Sequence, residues 1–147
     1  MSIFDSFSIN ASGLTAERYR MDVISENIAN IDTTRTEDGT PYRRKLVTFE
    51  EKGKNGTFAS ALAKAKGDYI GGGVRVGKTY EDTETEMKMV YDPSHPDADE
   101  NGYVTYPNVN VITEMTDLID ASRSYEANST AFNASKSMAL KGLEIGQ

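Results

Sequence analysis

No cysteine occurs among the 147 residues, which removes disulfide frameworks, zinc–thiolate sites, iron–sulfur clusters and thiol nucleophiles together. Tryptophan is absent, proline is limited to four residues and histidine to one. A lone imidazole does not complete the ligand sets typical of catalytic zinc. A basic excess is missing as well: 16 Lys and Arg stand against 23 Asp and Glu, a net charge of −7. The positive footprint that phosphate-backbone binding needs is therefore lacking, and nucleic acid is not an expected partner. No long uncharged apolar run is present to cross a bilayer, and Met1 to Asn10 carry neither a basic segment nor a continuous apolar stretch. The expectation is no membrane span and no cleavable signal.

What is present is modest in amount and ordered in placement. Hydrophobic residues make up 37% and mean hydropathy is −0.55, so a packed core requires the apolar side chains to fall along particular stripes. The acidic excess is local. Glu81, Asp82, Glu84, Glu86, Asp92, Asp97, Asp99 and Glu100 face only Lys88 in the same stretch, and the rest of the chain is balanced.

Phe7, Leu14, Met21 and Ile28 are spaced by seven, with Ala11, Ile24 and Ile31 at the intervening three- and four-residue offsets. This is a helical stripe of coiled-coil type, with Glu17, Arg18, Arg20, Asp22 and Glu26 on its polar face. The helix is expected to end near Ile31 or Asp32. Toward the other end Val111, Leu118, Tyr125, Phe132 and Ala139 repeat the same spacing, flanked by Ile112, Met115 and Ile119. Asn108 or Asn110 is placed to cap that second helix just after Pro107. At 1.5 Å per residue each helix would be roughly 45 to 50 Å long.

Between them the pattern changes to short β-like runs punctuated by glycine: Tyr42 to Phe49, Val74 to Tyr80, Glu86 to Tyr91 and Tyr103 to Tyr106. Thr57 to Lys66 has the composition of a short helix. The predicted fold class is α+β: long N- and C-terminal helices pairing as a coiled-coil-like hairpin around a small β-rich central segment. The corresponding divisions are 1–36, 37–107 and 108–147.

Three stretches imitate chemical motifs. Gly72 to Thr79 satisfies the phosphate-loop pattern G-x-x-x-x-G-K-T, but a working loop leads from a buried strand into a helix. Here Tyr80 to Glu86 has no apolar helical face and carries several carboxylates. Asp97 to Gly102 opens like a calcium-binding loop, yet Asn108 stands where the bidentate Glu belongs and Tyr103 to Tyr106 reads as strand. His95 lies between Pro93 and Pro96 with Asp92, Asp97 and Asp99 nearby; the arrangement reads as a rigid Pro-bounded loop with local hydrogen bonds in preference to a metal site or a catalytic base. A small nucleotide- or calcium-dependent regulator is the alternative these stretches keep open. No cofactor and no catalytic group is expected. Asn27 and Asn30, three apart beside the first stripe, either cap and fray the helix end or set packing register through specific polar contacts.

Ser12-Gly13-Leu14-Thr15-Ala16-Glu17-Arg18, followed by Ser25-Glu26-Asn27-Ile28-Ala29-Asn30, resembles the signatures of the flagellar rod and hook family of axial proteins. Asp38 to Lys45, Tyr91 to Asp99, Gly102 to Asn110, Glu114-Met115 and Ala121 to Asn128 extend that resemblance over nearly the whole chain. It implies a non-enzymatic subunit of the bacterial flagellar basal body, in the proximal part of the periplasmic rod, exported by the flagellar type III apparatus without signal cleavage. The implied partners are other rod proteins, the ring or export-gate adaptor, and further copies of the chain. It also implies that the terminal helices line an inner tube while the middle segment faces outward. On this reading Phe7, Leu14, Met21, Ile24, Ile28 and Ile31 pack against Val111, Met115, Leu118, Tyr125 and Phe132 within and between subunits. Asn27 and Asn30 would set the register.

Overall fold

Helix α1 runs from Ile3 to Ala29, with Asp5 in its first turn, where a carboxylate meets the positive end of the helix dipole. Ser12, Thr15 and Ser25 fold their hydroxyls back onto the carbonyls of Ile9, Ala11 and Met21, which satisfies these small polar side chains without breaking the helix. The computed structural model describes residues 3–53, 62, 65 and 71–145. α1 stops slightly before the expected point. The Asn30 amide still reaches the Glu26 carbonyl at 3.1 Å, but Ile31 turns to Ile28 at 3.4 Å and Thr33 to Asn30 at 3.1 Å, the tightened geometry of a helix end.

Among the described residues four strands follow: β1 (Lys45–Glu51), β2 (Val74–Glu81), β3 (Lys88–Tyr91) and β4 (Tyr103–Tyr106). They form two separate two-stranded sheets, β1 with β2 and β3 with β4. β1 begins three residues later than the sequence pattern suggests because the preceding amides are taken elsewhere. Tyr42 N–H donates to the Thr33 carbonyl and Arg44 N–H to the Asn108 side chain at 2.9 Å. β3 likewise starts at Lys88, two residues inside the expected run. The helix expected over 57–66 lies outside the described residues, apart from Leu62 and Ala65.

Helix α2 spans Val111–Ile145. Of the two candidate caps, Asn110 is the one used: its Oδ1 accepts from the amides of Ile112 at 3.0 Å and Thr113 at 3.4 Å. With 27 and 35 residues, the helices are roughly 40 and 50 Å long. The architecture is α+β, two long helices with small antiparallel sheet between them in sequence.

The chain divides into two compact units, one of Met1–Tyr19, Thr48–Gly77 and Ala121–Gln147, the other of Arg20–Val47 and Lys78–Asp120. In the first, α1 and α2 run antiparallel: Phe7 meets Phe132 edge-to-face at 5.1 Å, and a Cβ on Gly13 would stand 2.8 Å from Asn128 Oδ1. Ala16, Ala121 and Ser135 are buried. β2 is tied to α1 here, because the Val74 amide donates to Ser12 Oγ at 3.0 Å.

That tie, together with the close approach of the Lys52 carbonyl, explains the glycines before β2. Gly73 has φ +95°, and a Cβ on it would lie 2.2 Å from Ser12 Oγ, while one on Gly72 would lie 1.9 Å from the Lys52 carbonyl oxygen. Gly73→Ala is expected to cost about 1–3 kcal/mol from backbone strain alone, with the Ser12 clash added. Urea denaturation checks this, and an unchanged midpoint would contradict the assigned tie.

In the second unit β3 and β4 pair antiparallel with Lys88 opposite Tyr106, Met89 opposite Thr105, Val90 opposite Val104 and Tyr91 opposite Tyr103. Val104 is fully buried, and Val23, Ile24 and Tyr42 are buried. This apolar core is small, and a polar network occupies much of the remaining interior.

Candidate functional site

The network is built around Asn27, which is only 1% exposed. Its Nδ2 donates to the Lys45 carbonyl at 2.9 Å and to Glu114 Oε2 at 3.0 Å. Its Oδ1 accepts from the Lys45 amide at 2.8 Å and the Tyr42 hydroxyl at 2.9 Å. Both donors and both acceptor positions of the carboxamide are thereby used. Toward Lys45 the side chain behaves as a missing strand would, bonding N–H and C=O of one residue at the start of β1.

Glu114, equally buried at 1%, accepts from Asn27 on one oxygen and pairs with the Arg44 guanidinium on the other. Arg44 extends to Asp117 at 3.3 Å. The Arg44 amide is held by Asn108, whose Nδ2 donates to the carbonyls of Asp82 at 2.9 Å and Thr85 at 3.2 Å. Asp82 closes its own turn by accepting from the amides of Glu84 and Thr85 and from the Thr85 hydroxyl. These bonds, the Thr85 amide and hydroxyl foremost, outweigh desolvation and hold its carboxyl below the ordinary range, with Glu84 and Arg44 assisting. One connected set of side chains thus joins α1, the approach to β1, the turn after β2 and the first turn of α2.

Burial first, then the charges of Glu26, Glu114 and Glu81, push the Tyr42 hydroxyl up to about 12. It remains a donor to Asn27 at any neutral pH. A group whose folded value lies above its unfolded value near 10 stabilises fully below that pH and loses its contribution as pH rises toward 12. Stability should accordingly fall between pH 10 and about 12. In Tyr42→Phe that alkaline loss should shrink, at the expense of one hydrogen bond at neutral pH; denaturation midpoints across the window check both.

The sequence-derived residues divide by environment. Ile24 and Asn27 are buried, while Phe7, Leu14, Met21, Ile28, Asn30, Ile31, Leu118 and Phe132 are half-buried. Asn30 stays local, donating to the Glu26 carbonyl and accepting from the Thr33 hydroxyl. Val111, Met115 and Tyr125 are exposed. The inward line of α2 is a different one: Glu114, Ala121 and Ser135 are buried, with Asn128 against Gly13 on the same seven-residue spacing. It is offset by three residues, about 60° around the helix, from the apolar stripe. As a result Ile112 (78% exposed), Met115 (54%) and Ile119 (52%) form an apolar ridge on the surface.

No sequence pattern assigns a role in this network to Tyr42, Arg44, Lys45, Asp82, Asn108, Glu114 or Asp117. The available signal was Glu114, a charged residue set within the apolar positions of α2.

The motif-like stretches have other occupations. Lys78 and Thr79 lie inside β2, whose continuation is the Asp82 turn and not a helix. In the 92–102 loop Asp92 accepts from Ser94, Asp97 from Thr34 and Asp99 from the amides of Asn101 and Tyr103. His95 Nδ1 accepts from the Asp97 amide at 3.1 Å. Among the described residues no group of three His, Cys, Asp or Glu side chains is placed to hold a metal, and no helix is long and apolar enough to cross a membrane.

Two long helices tied to each other through the Asn27–Glu114 bond are the frame of the chain, and two family models match its two ends. The model described as flagella basal body rod protein matches residues 7–35. The one described as flagellar basal body rod FlgEFG protein C-terminal matches residues 100–145. Among curated relatives, the flagellar basal-body rod protein FlgC of Bacillus subtilis (strain 168) is 48% identical, with 100% of both chains covered. The FlgC proteins of Borreliella burgdorferi and Salmonella typhimurium are 47% and 41% identical, covering 100% of this chain and 99% and 100% of theirs. The chain belongs to the FlgC family of flagellar basal-body rod proteins, which are structural proteins and not enzymes.

Proposed function

We propose that this chain is a structural subunit of the proximal rod, polymerising through its terminal helices into the periplasm-spanning drive shaft that transmits motor torque. The observation that carries this reading is the apolar ridge of Ile112, Met115 and Ile119 left on the surface, in a chain whose relatives are rod proteins over their full length. Val111, Met115 and Tyr125 present exposed surface to a neighbour. Phe7, Leu14, Met21, Ile28, Asn30, Ile31, Leu118 and Phe132 are half-buried and divide their contacts between the subunit and its neighbours. Ile24 and Asn27 act from inside, by fixing the helix that carries the others. Burying one large apolar side chain contributes roughly 1.5–3 kcal/mol, so a repeated ridge contact holds a polymer.

The same reading gives the subunit its partners, other rod proteins and the ring or export-gate adaptor, and its route, export by the flagellar type III apparatus without signal cleavage. Deleting the gene in its motile source and imaging basal bodies by electron microscopy tests it. The expected result is rings without a rod, restored by the wild-type gene and not by Leu14→Asp. Complete rods in the deletion strain would overturn the assignment.

A further inference from the structure

The outer face of the β3–β4 hairpin is unusual for a solvated sheet. Its register places Met89, Tyr91, Tyr103 and Thr105 on one side and the buried Val104 on the other, and outward positions of such hairpins are ordinarily polar. Here Met89 is 62% exposed, Tyr91 64% and Tyr103 42%. The two rings are nevertheless held: they meet edge-to-face at 5.3 Å, and Tyr91 lies over Gly102, where a Cβ would stand 3.0 Å from the ring. Gly102, at φ +81°, allows both the turn and this close approach. Exposed aromatics fixed in advance lose little entropy on binding.

Charge indicates what covers this face. By sequence, the unit containing the hairpin holds seven Lys and Arg against sixteen Asp and Glu, a net −9, whereas the other unit holds nine against seven, a net +2. Asp92 directly follows Tyr91, and the exposed Asp99 and Glu100 lie shortly before Tyr103, so the chain at the ends of the two strands carries an acidic rim. Like charge disfavours contact between two hairpin units, and the unit of net positive charge is the better electrostatic match for this face. That unit carries, near the end of α2, Lys136, Leu140 and Leu143 on one helical line; all three are exposed, the leucines by 53% and 71%. A Cβ on neighbouring Gly142 would meet nothing within 4 Å, so the approach is open.

We propose that the Met89–Tyr91–Tyr103 face receives the Lys136–Leu140–Leu143 line of α2 from a second copy of the chain. The leucines cover the rings while the lysine meets the acidic rim. Because the two surfaces differ, the contact is heterologous, and repetition yields an open polymer or a ring instead of a closed dimer. The inference rests on the self-association proposed above and adds a contact distinct from the Ile112–Met115–Ile119 ridge.

The absence of native cysteine permits a direct test. Differently tagged chains carrying Tyr91→Cys or Leu140→Cys are co-expressed in motile cells, and their basal bodies are isolated and oxidised. The expected product is a mixed-tag 91–140 disulfide, reduced several-fold by Lys136→Glu and recovered when the partner chain carries Glu100→Lys. Met89→Cys serves as a second reporter should Tyr91→Cys hinder assembly. Basal bodies that contain the chain but give no mixed adduct, or give mainly 91–91 adducts, overturn this contact and leave the rod reading standing. Basal bodies lacking the wild-type chain would overturn both.

Discussion

Asn27→Ala should destabilise the fold by about 2–4 kcal/mol, and Asn27→Asp by more, with no change in the surface of the protein. The alanine leaves the Tyr42 hydroxyl, both backbone groups of Lys45 and one Glu114 oxygen without the partner that held them. Each buried polar group so abandoned costs on the order of 1–3 kcal/mol, partly offset where water enters. The aspartate keeps the shape but has no donors. It sets a second carboxylate about where Nδ2 now lies, 3.0 Å from Glu114 Oε2, and two carboxylates that close do not both stay ionised. One then takes up a proton on folding, so its folded pKa lies above the unfolded value. Stability from that proton is present at low pH and is lost as pH rises. Asn27→Asp is therefore expected to recover part of its deficit between pH 7 and pH 5, whereas Asn27→Ala is not. Urea denaturation of the three proteins at both pH values decides the matter. Wild-type-like midpoints for Asn27→Ala would mean that the network does not hold the unit together.

The network also marks the limit of what the sequence discloses. The seven-residue spacing that runs through Phe7 in one series and through Phe132 in another points to two long helices, and Asn110 is one of two residues placed to cap the second. Both signals are local, arising within one turn or one repeat. Asn27 finds its partners 18 and 87 residues away, and no periodicity records such a pairing. The orientation of α2 was hidden for a related reason. Hydrophobic periodicity weights the apolar positions, but the inward line is Glu114, Ala121, Asn128 and Ser135. Those positions face either a polar interior or an approach as close as that of Gly13 to Asn128, and both conditions select small or polar side chains. The start of β1 failed in the same way, its preceding amides being claimed by Thr33 and by a side chain of Asn108.

The displaced apolar stripe leads to the opposite kind of variant. Met115→Asp combined with Ile119→Asp should leave the isolated protein within about 0.5 kcal/mol of wild type, since exposed positions away from caps and cores tolerate substitution. Neither residue appears in the hydrogen-bonded set around Glu114, although Met115 is its immediate neighbour. In an assembled rod the same two positions would be covered by a neighbouring subunit. An unpaired carboxylate enclosed in a packed interface costs several kcal/mol, and the cost recurs at each copy. Motility is therefore expected to be lost while denaturation midpoints and cellular protein level stay near wild type, with electron microscopy showing basal bodies arrested before rod completion. This separation distinguishes a surface that faces a neighbour from one that faces water. On the proposed reading, Asn27→Ala is expected to impair the subunit and, through it, the assembly, whereas Met115→Asp with Ile119→Asp is expected to impair assembly alone. Full motility in the charged variant would assign the ridge to solvent and move the intersubunit contact to the half-buried line of Phe7, Leu14 and Met21.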